Sequence, residues 1–148
     1  MSDESPVGSN ADSSLRAALA LAAVASSLDT AIGAALSRVG LSFTDLRRLR
    51  VIGAHPQGLT REDLAEVMGE PRSQTIRSSA PLVKLGWLSR RESGEFVLTD
   101  SGHHLVDQAE GIAEKAADRW FTDSGLSPTE VIASARGRSA PESSPAAR

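Results

Sequence analysis

The chain has no cysteine among its 148 residues. Disulfides, thiolate metal sites, cysteine nucleophiles and thiol-based redox sensing are excluded together. Tyrosine is absent too, and aromatics amount to only 3%, so the core has to be built from aliphatic side chains and Ala-rich helix contacts. Histidine is scarce: His55, His103 and His104. The last two are neighbours near a helix start and point in different directions, so a zinc site with Asp100 or Asp107 is disfavoured against a solvated pair. Ser, Thr and carboxylates are plentiful, yet none sits in a nucleophile or acid/base setting, and no Gly-rich loop cradles a phosphate. The expectation is no catalysis, no cofactor and no metal. No apolar run reaches membrane-spanning length; the richest, residues 15–25, is broken by Arg16. The opening Met1-Ser2-Asp3-Glu4-Ser5-Pro6 has no basic region and does not resemble a secretory signal. A cytoplasmic location without membrane contact is expected.

What is present is unevenly charged. The net charge of −3 conceals a basic middle between acidic flanks. Residues 38–91 hold ten Lys and Arg against five Asp and Glu, and residues 92–135 hold two against nine. Attraction to a polyanion depends on the local field rather than the total, so the middle of the chain can face nucleic acid.

That middle carries the most legible local signals. Leu59-Thr60-Arg61-Glu62-Asp63-Leu64 is a helix start in which Thr60 caps, Asp63 can reach back, and Leu59 and Leu64 staple. Leu64, Val67 and Met68 give one apolar face, Gly69 suits a left-handed helix end, and Pro71 suits the first turn of a second helix. The second helix carries Arg72, Ser73, Gln74, Thr75 and Arg77 near its start and ends at Leu85-Gly86. Then Trp87 to Arg91 and Glu95 to Leu98 flank Ser93-Gly94, a hairpin signal. A helix-turn-helix followed by a hairpin is a winged helix, which presents the leading end of its second helix to base edges in the major groove. Arg pairs with guanine, Gln with adenine, and Ser or Thr with several partners.

The flanks read as helices. Residues 1–11 are polar and expected to be disordered. Residues 12–40 form a long helix whose first half is apolar nearly all round, more than one small domain can cover, which calls for a partner subunit. Residues 41–98 form the winged helix-turn-helix, opening with a capped helix in which Leu46, Leu49, Val51 and Ile52 face the core and Arg47, Arg48 and Arg50 point partly outward. Residues 99–135 form a long helix and a short one, and residues 136–148 a disordered tail. The expected class is mainly α with a small β-hairpin, the terminal helices forming a dimerisation region.

In this order, Gly58-Leu59-Thr60, Leu64-Ala65, Gly69, Arg72-Ser73, Pro81-Leu82, Lys84-Leu85-Gly86, Arg90-Arg91 and Leu98-Thr99-Asp100-Ser101-Gly102 resemble the MarR family of bacterial transcription regulators. The resemblance implies a homodimer with interlocked first and last helices that binds a palindromic operator, usually to repress. It also implies a small ligand that often binds between the dimer region and the winged helix. The residues expected at DNA are Thr60, Arg72, Ser73, Gln74, Thr75, Arg77, Arg90, Arg91 and Ser93. Ligand-binding residues are not assigned. Three departures stand out: a short wing with Glu92 and Glu95 at its tip, Thr75 where an apolar core residue is usual, and Pro81 inside the second helix, where a kink is expected. The rival reading is a dimeric winged helix that contacts protein without reading DNA.

Overall fold

The computed structural model describes residues 8–139, with side chains over 13–138. Along the chain run α1 (Gly8–Leu36), a 3-10 turn (Ser37–Val39), α2 (Phe43–Gly53), α3 (Arg61–Met68) and α4 (Arg72–Lys84). Strands β1 (Leu88–Arg90) and β2 (Phe96–Leu98) follow, then α5 (Asp100–Ser124) and α6 (Pro128–Ser139). This is the expected winged helix-turn-helix set between helical flanks. The helices at the two ends are longer than expected: α1 starts at Gly8 and α6 continues to Ser139. The rest of the expected disordered ends, residues 1–7 and 140–148, lies outside the described residues.

α1 divides into two halves of different fate. Ile32 and Leu36 enter the core together with Ala109, Ala113 and Ala116 of α5, where small side chains let two helices approach closely. One turn further back, the Trp120 indole N–H donates to Ser27 Oγ at 3.0 Å. Before that point α1 is open, with Leu15, Leu19 and Leu21 each about 60% exposed or more. Ser13–Val39, with a mean hydropathy of 1.7, is long and apolar enough to cross a membrane. That corrects the expectation that no run reaches such a length, because the three scattered charges Arg16, Asp29 and Arg38 barely interrupt it. Insertion would withdraw Ile32 and Leu36 from the core they share with α2 and α5, so α1 belongs to the domain.

The winged part is tied together at its turns. Ser42 Oγ accepts the Asp45 N–H at 3.0 Å and starts α2. Gly58 has φ +90°, and a Cβ there would lie 2.8 Å from Glu95 Cβ, so the turn into α3 can press on the wing only with glycine. Next to it, Leu59 exchanges two backbone hydrogen bonds with Phe96, at 3.0 and 2.8 Å. This adds a short third rung to a hairpin whose register pairs Leu88 with Leu98 and Arg90 with Phe96. Thr99 then seats α5: its hydroxyl accepts the Gly102 N–H at 3.0 Å and donates to the Gly86 carbonyl at 2.6 Å. A Cβ on Gly102 would lie 2.2 Å from the Trp87 carbonyl oxygen. The hairpin and α5 therefore move as one piece.

The deepest polar contact joins α2 to the helix-turn-helix. Arg48, expected to point partly outward, is buried. Its guanidinium meets both oxygens of Glu70, at 2.5 and 3.1 Å, and Thr75 donates its hydroxyl to Glu70 Oε1 at 2.7 Å. The correction has a geometric reason: Arg48 stands four residues before Ile52 and one before Leu49, inside the apolar sector of α2. With its charge out of water, Arg48 requires a fixed counter-charge. Glu70, in the turn between α3 and α4, supplies it.

The Arg48 guanidinium, and after it the Thr75 hydroxyl, hold the Glu70 carboxyl below its ordinary 4.5 against the opposing effect of burial. A folded-state pKa below the unfolded one means that the contribution is complete above about pH 4.5 and is lost as pH falls through the folded value. Glu70→Gln should lower stability at pH 7 by about 3 kcal/mol. The gap between the two proteins should close as pH drops toward 3, read from denaturant midpoints at one protein concentration. A gap independent of pH would show that the carboxylate's charge is not what Arg48 needs.

Candidate nucleic-acid interface

The helix-turn-helix is built by local rules. Thr60 Oγ1 accepts the Asp63 N–H at 3.2 Å and starts α3. Leu64 and Ala65 turn inward, and Gly69, at φ +66°, closes the helix. Pro71 is extended and opens α4 without a side-chain cap. On α4, Thr75, Ser79 and Leu82 recur at spacings of four and three and are buried. That fixes the opposite side as the outer one, and Arg72, Ser73, Gln74, Ile76 and Arg77 are exposed there.

Four of the five expected α4 residues therefore share one accessible face, and Thr75 does not. Thr75 is fully buried and its hydroxyl is engaged by Glu70, so it takes no part in reading bases. It fills the core place itself, while Ile76 stays 41% exposed. Pro81 is accommodated within a helix that runs unbroken from Arg72 to Lys84.

The exposed groups are partly pre-arranged. Arg72 Nη2 lies 2.8 Å from Glu62 Oε1 on α3. Gln74 donates through Nε2 to Ser78 Oγ at 2.8 Å and accepts Arg77 Nη2 at 3.1 Å. Each of these bonds costs little to exchange, because all the groups are largely in water.

The wing is less free than its sequence suggests. Arg91 donates to the carbonyls of Gln57 and Pro56, at 3.2 and 3.5 Å, and so braces the turn before α3. Arg90 lies over the Phe96 ring, 5.9 Å from its centre, with its charge open to solvent. At the tip, Ser93 donates its hydroxyl to the Glu95 carboxylate. That bond, and then a backbone one, holds the Glu95 carboxyl below its ordinary range, so the tip stays anionic in neutral solution. Of the other expected residues, Arg90 lines a groove with Ile76, Ala80 and Val83 of α4, Thr60 is engaged as the cap of α3, and Ser93 stands in a tip that also carries Glu92 and Glu95.

Sequence reasoning missed two groups. Glu62 was seen only as part of a helix start, where an acid in the first turn suits the helix dipole. The second is a cavity of about 420 Å3 between α1, α2 and α5, with an apolar floor from Ile32, Phe43 and Leu46 and charges of both signs from Arg47, Arg50, Glu110 and Glu114. Arg50 Nε meets Glu110 Oε1 across it at 2.7 Å. Among the described residues no cluster of His, Asp and Glu is placed to hold a metal ion.

No family model matches the chain, and no curated protein matches it. Solved structures do. A MarR-family transcriptional regulator from Rhodococcus sp. RHA1 is 24% identical with a TM-score of 0.73, over 84% of this chain and 91% of that one. The MarR family protein Rv2887 of Mycobacterium tuberculosis is 25% identical with a TM-score of 0.64, over 82% of this chain and 89% of that one. Rv2887 has also been solved with DNA and with salicylic acid. MarR from E. coli, in its reduced form, is 18% identical with a TM-score of 0.70, over 84% and 92% of the two chains. A capped helix-turn-helix braced by a short wing, carried between two long helices, thus has the fold of the MarR-family transcriptional regulators.

Proposed function

We propose that this chain is a homodimeric, sequence-specific DNA-binding transcriptional regulator, a repressor acting in the cytoplasm on a palindromic operator and released by a small ligand. The observation that carries the reading is the exposed leading face of α4, with Arg72, Ser73, Gln74 and Arg77, on a fold that Rv2887 presents to DNA. Arg72, Gln74 and Arg77 contact bases or adjacent phosphates, while Thr60, Arg90 and Arg91 hold register on the backbone. No step of this requires catalysis.

The dimer rests on apolar surface left uncovered. Leu15, Leu19 and Leu21 of α1, and Val131 and Ile132 of α6, are between 46% and 67% exposed. A second copy laying its own α1 and α6 against them would bury both sets at once, in the self-complementary manner of a two-fold interface. To engage both half-sites of a palindrome, such a dimer has to hold its two copies of α4 about 34 Å apart, one turn of DNA.

The cavity beside Arg47 and Arg50 supports the ligand. An apolar floor beside Arg47, whose charge no carboxylate in the cavity is seen to hold, and Arg50, which Glu110 holds, suits an amphipathic anion that can displace Glu110, and Rv2887 was solved with salicylic acid. A carboxylate placed there competes with Glu110 for Arg50, separates α2 from α5, and changes the spacing of the two heads so that both half-sites are no longer engaged together.

Three outcomes are expected. Sedimentation of the purified chain should give a dimer at micromolar concentration, and Leu19→Glu should give a helical monomer; a wild-type monomer would remove the assembly. On a duplex selected from genomic fragments, anisotropy should show affinity falling about 10³–10⁵-fold between 50 and 200 mM salt. Arg72→Ala should lose about 1–3 kcal/mol on that site but little on unrelated DNA. No binding even at low salt would leave the protein-contact reading in its place. Salicylate, used as a probe, should weaken binding of the selected duplex by the wild type and not by Arg50→Gln; equal weakening of both would separate the cavity from the response.

A further inference from the structure

Resting on the reading of α4 as the DNA-facing helix, we propose that Glu62 is a specificity-determining positioning residue, which aims Arg72 at a base and penalises unspecific DNA. Arg72 is the first residue of α4 and Glu62 the second of α3, and their side chains meet at 2.8 Å, each 58% exposed. An ion pair so open to water adds little to stability, so folding does not account for it. Its place is unusual on electrostatic grounds. A carboxylate at a face meant for a polyanion weakens every phosphate contact near it, and that cost falls equally on all sequences.

The compensation is selective. Glu62 meets Arg72 at Nη2, and guanidinium offers five donors in a rigid fork. A fork approached from one side can still present donors to the O6 and N7 of a guanine. A long, exposed side chain otherwise samples many rotamers and can turn aside to the nearest phosphate. The Glu62 carboxylate biases it toward the groove without fixing it, so somewhat less freedom is lost on pairing. The other exposed arginine of this face, Arg77, is also held, but by the neutral amide of Gln74 on its own helix. The contact from α3 differs in carrying a negative charge, so it alone both directs an arginine and repels phosphate.

The test is a selection on randomised duplexes with wild type, Glu62→Ala, Glu62→Gln and Arg72→Ala, followed by salt titrations on the selected site and on unrelated DNA. Wild type should enrich a two-fold motif containing a guanine preference that Arg72→Ala erases. Glu62→Ala should blur that one position, leave the rest of the motif, and bind unrelated DNA several-fold more tightly, so that the ratio of specific to unspecific affinity falls about tenfold or more. Glu62→Gln keeps an acceptor for Arg72, and should retain the guanine preference while sharing the gain on unrelated DNA. Thermal melts of the Glu62 variants should fall only by the small loss of a first-turn acid on α3, far less than unfolding of the reading head would give. A Glu62→Ala motif unchanged at the Arg72-dependent position overturns the positioning role and leaves the regulator reading intact. A wild type that enriches no motif overturns both.

Discussion

A charge removed from water must be answered where it stands, and Arg48 is such a charge. Its guanidinium lies in the α2 sector where an aliphatic side chain would be expected, and Glu70 answers it from the turn between α3 and α4. Thr75 completes the contact from inside α4. Three elements are thereby fixed at one point, and the outer face of α4 inherits its direction from that point. If Glu70 moved, α4 would lose its angle before it lost its helix, since the capped and stapled start of α3 is local and the clamp is not. α2 also presents Arg47 and Arg50 to the cavity on its other side. One helix thus lines the cavity proposed for a ligand and anchors the outer face of α4.

The remainder of the molecule separates two tasks that conflict within one surface. Reading DNA requires positive charge and exposed polar groups; holding two copies together requires apolar surface that water would rather leave. On the function proposed above, the first falls to α3, α4 and the base of the hairpin, and the second to the exposed apolar faces of α1 and α6. α5 connects them, seated on the hairpin by Thr99 and Gly102 at one end and packed on α1 through alanines along its length. The acidic excess of residues 92–135 lies mostly on this connecting helix, away from the face that would meet phosphate.

Most of the fold was legible because its signals are local. Ser42, Thr60 and Thr99 stand before the helices they start, and Gly40 and Gly69 take the left-handed conformation that their positions suggest. What was not legible depends on partners distant in sequence. Arg48 reads as one of three outward arginines until Glu70, twenty-two residues on, is brought beside it. Thr75 reads as a base-contacting hydroxyl until the same carboxylate claims it. The Leu59–Phe96 rung has no local mark at all, being one residue pairing at long range. The open half of α1 was visible as apolar excess, but its span of membrane-like hydropathy was underrated because one arginine was counted as a break.

The wing shows where the burden of recognition must fall. Its arginines are not extended fingers: Arg91 is turned back onto the carbonyls of Gln57 and Pro56, and Arg90 rests over Phe96. Its tip is anionic, carrying both Glu92 and Glu95. A negative tip approaching the minor groove meets phosphates on both sides, and the work of bringing it there rises as salt falls. The hairpin is therefore better suited to bracing the turn before α3, through Arg91 and the Leu59–Phe96 rung, than to reading DNA itself. If α4 faces DNA as proposed, a withdrawn wing leaves discrimination among sequences to the few side chains at the leading end of α4. The aim of each then matters more than in a protein with a second reading element, which is the physical reason an acid would be tolerated beside Arg72.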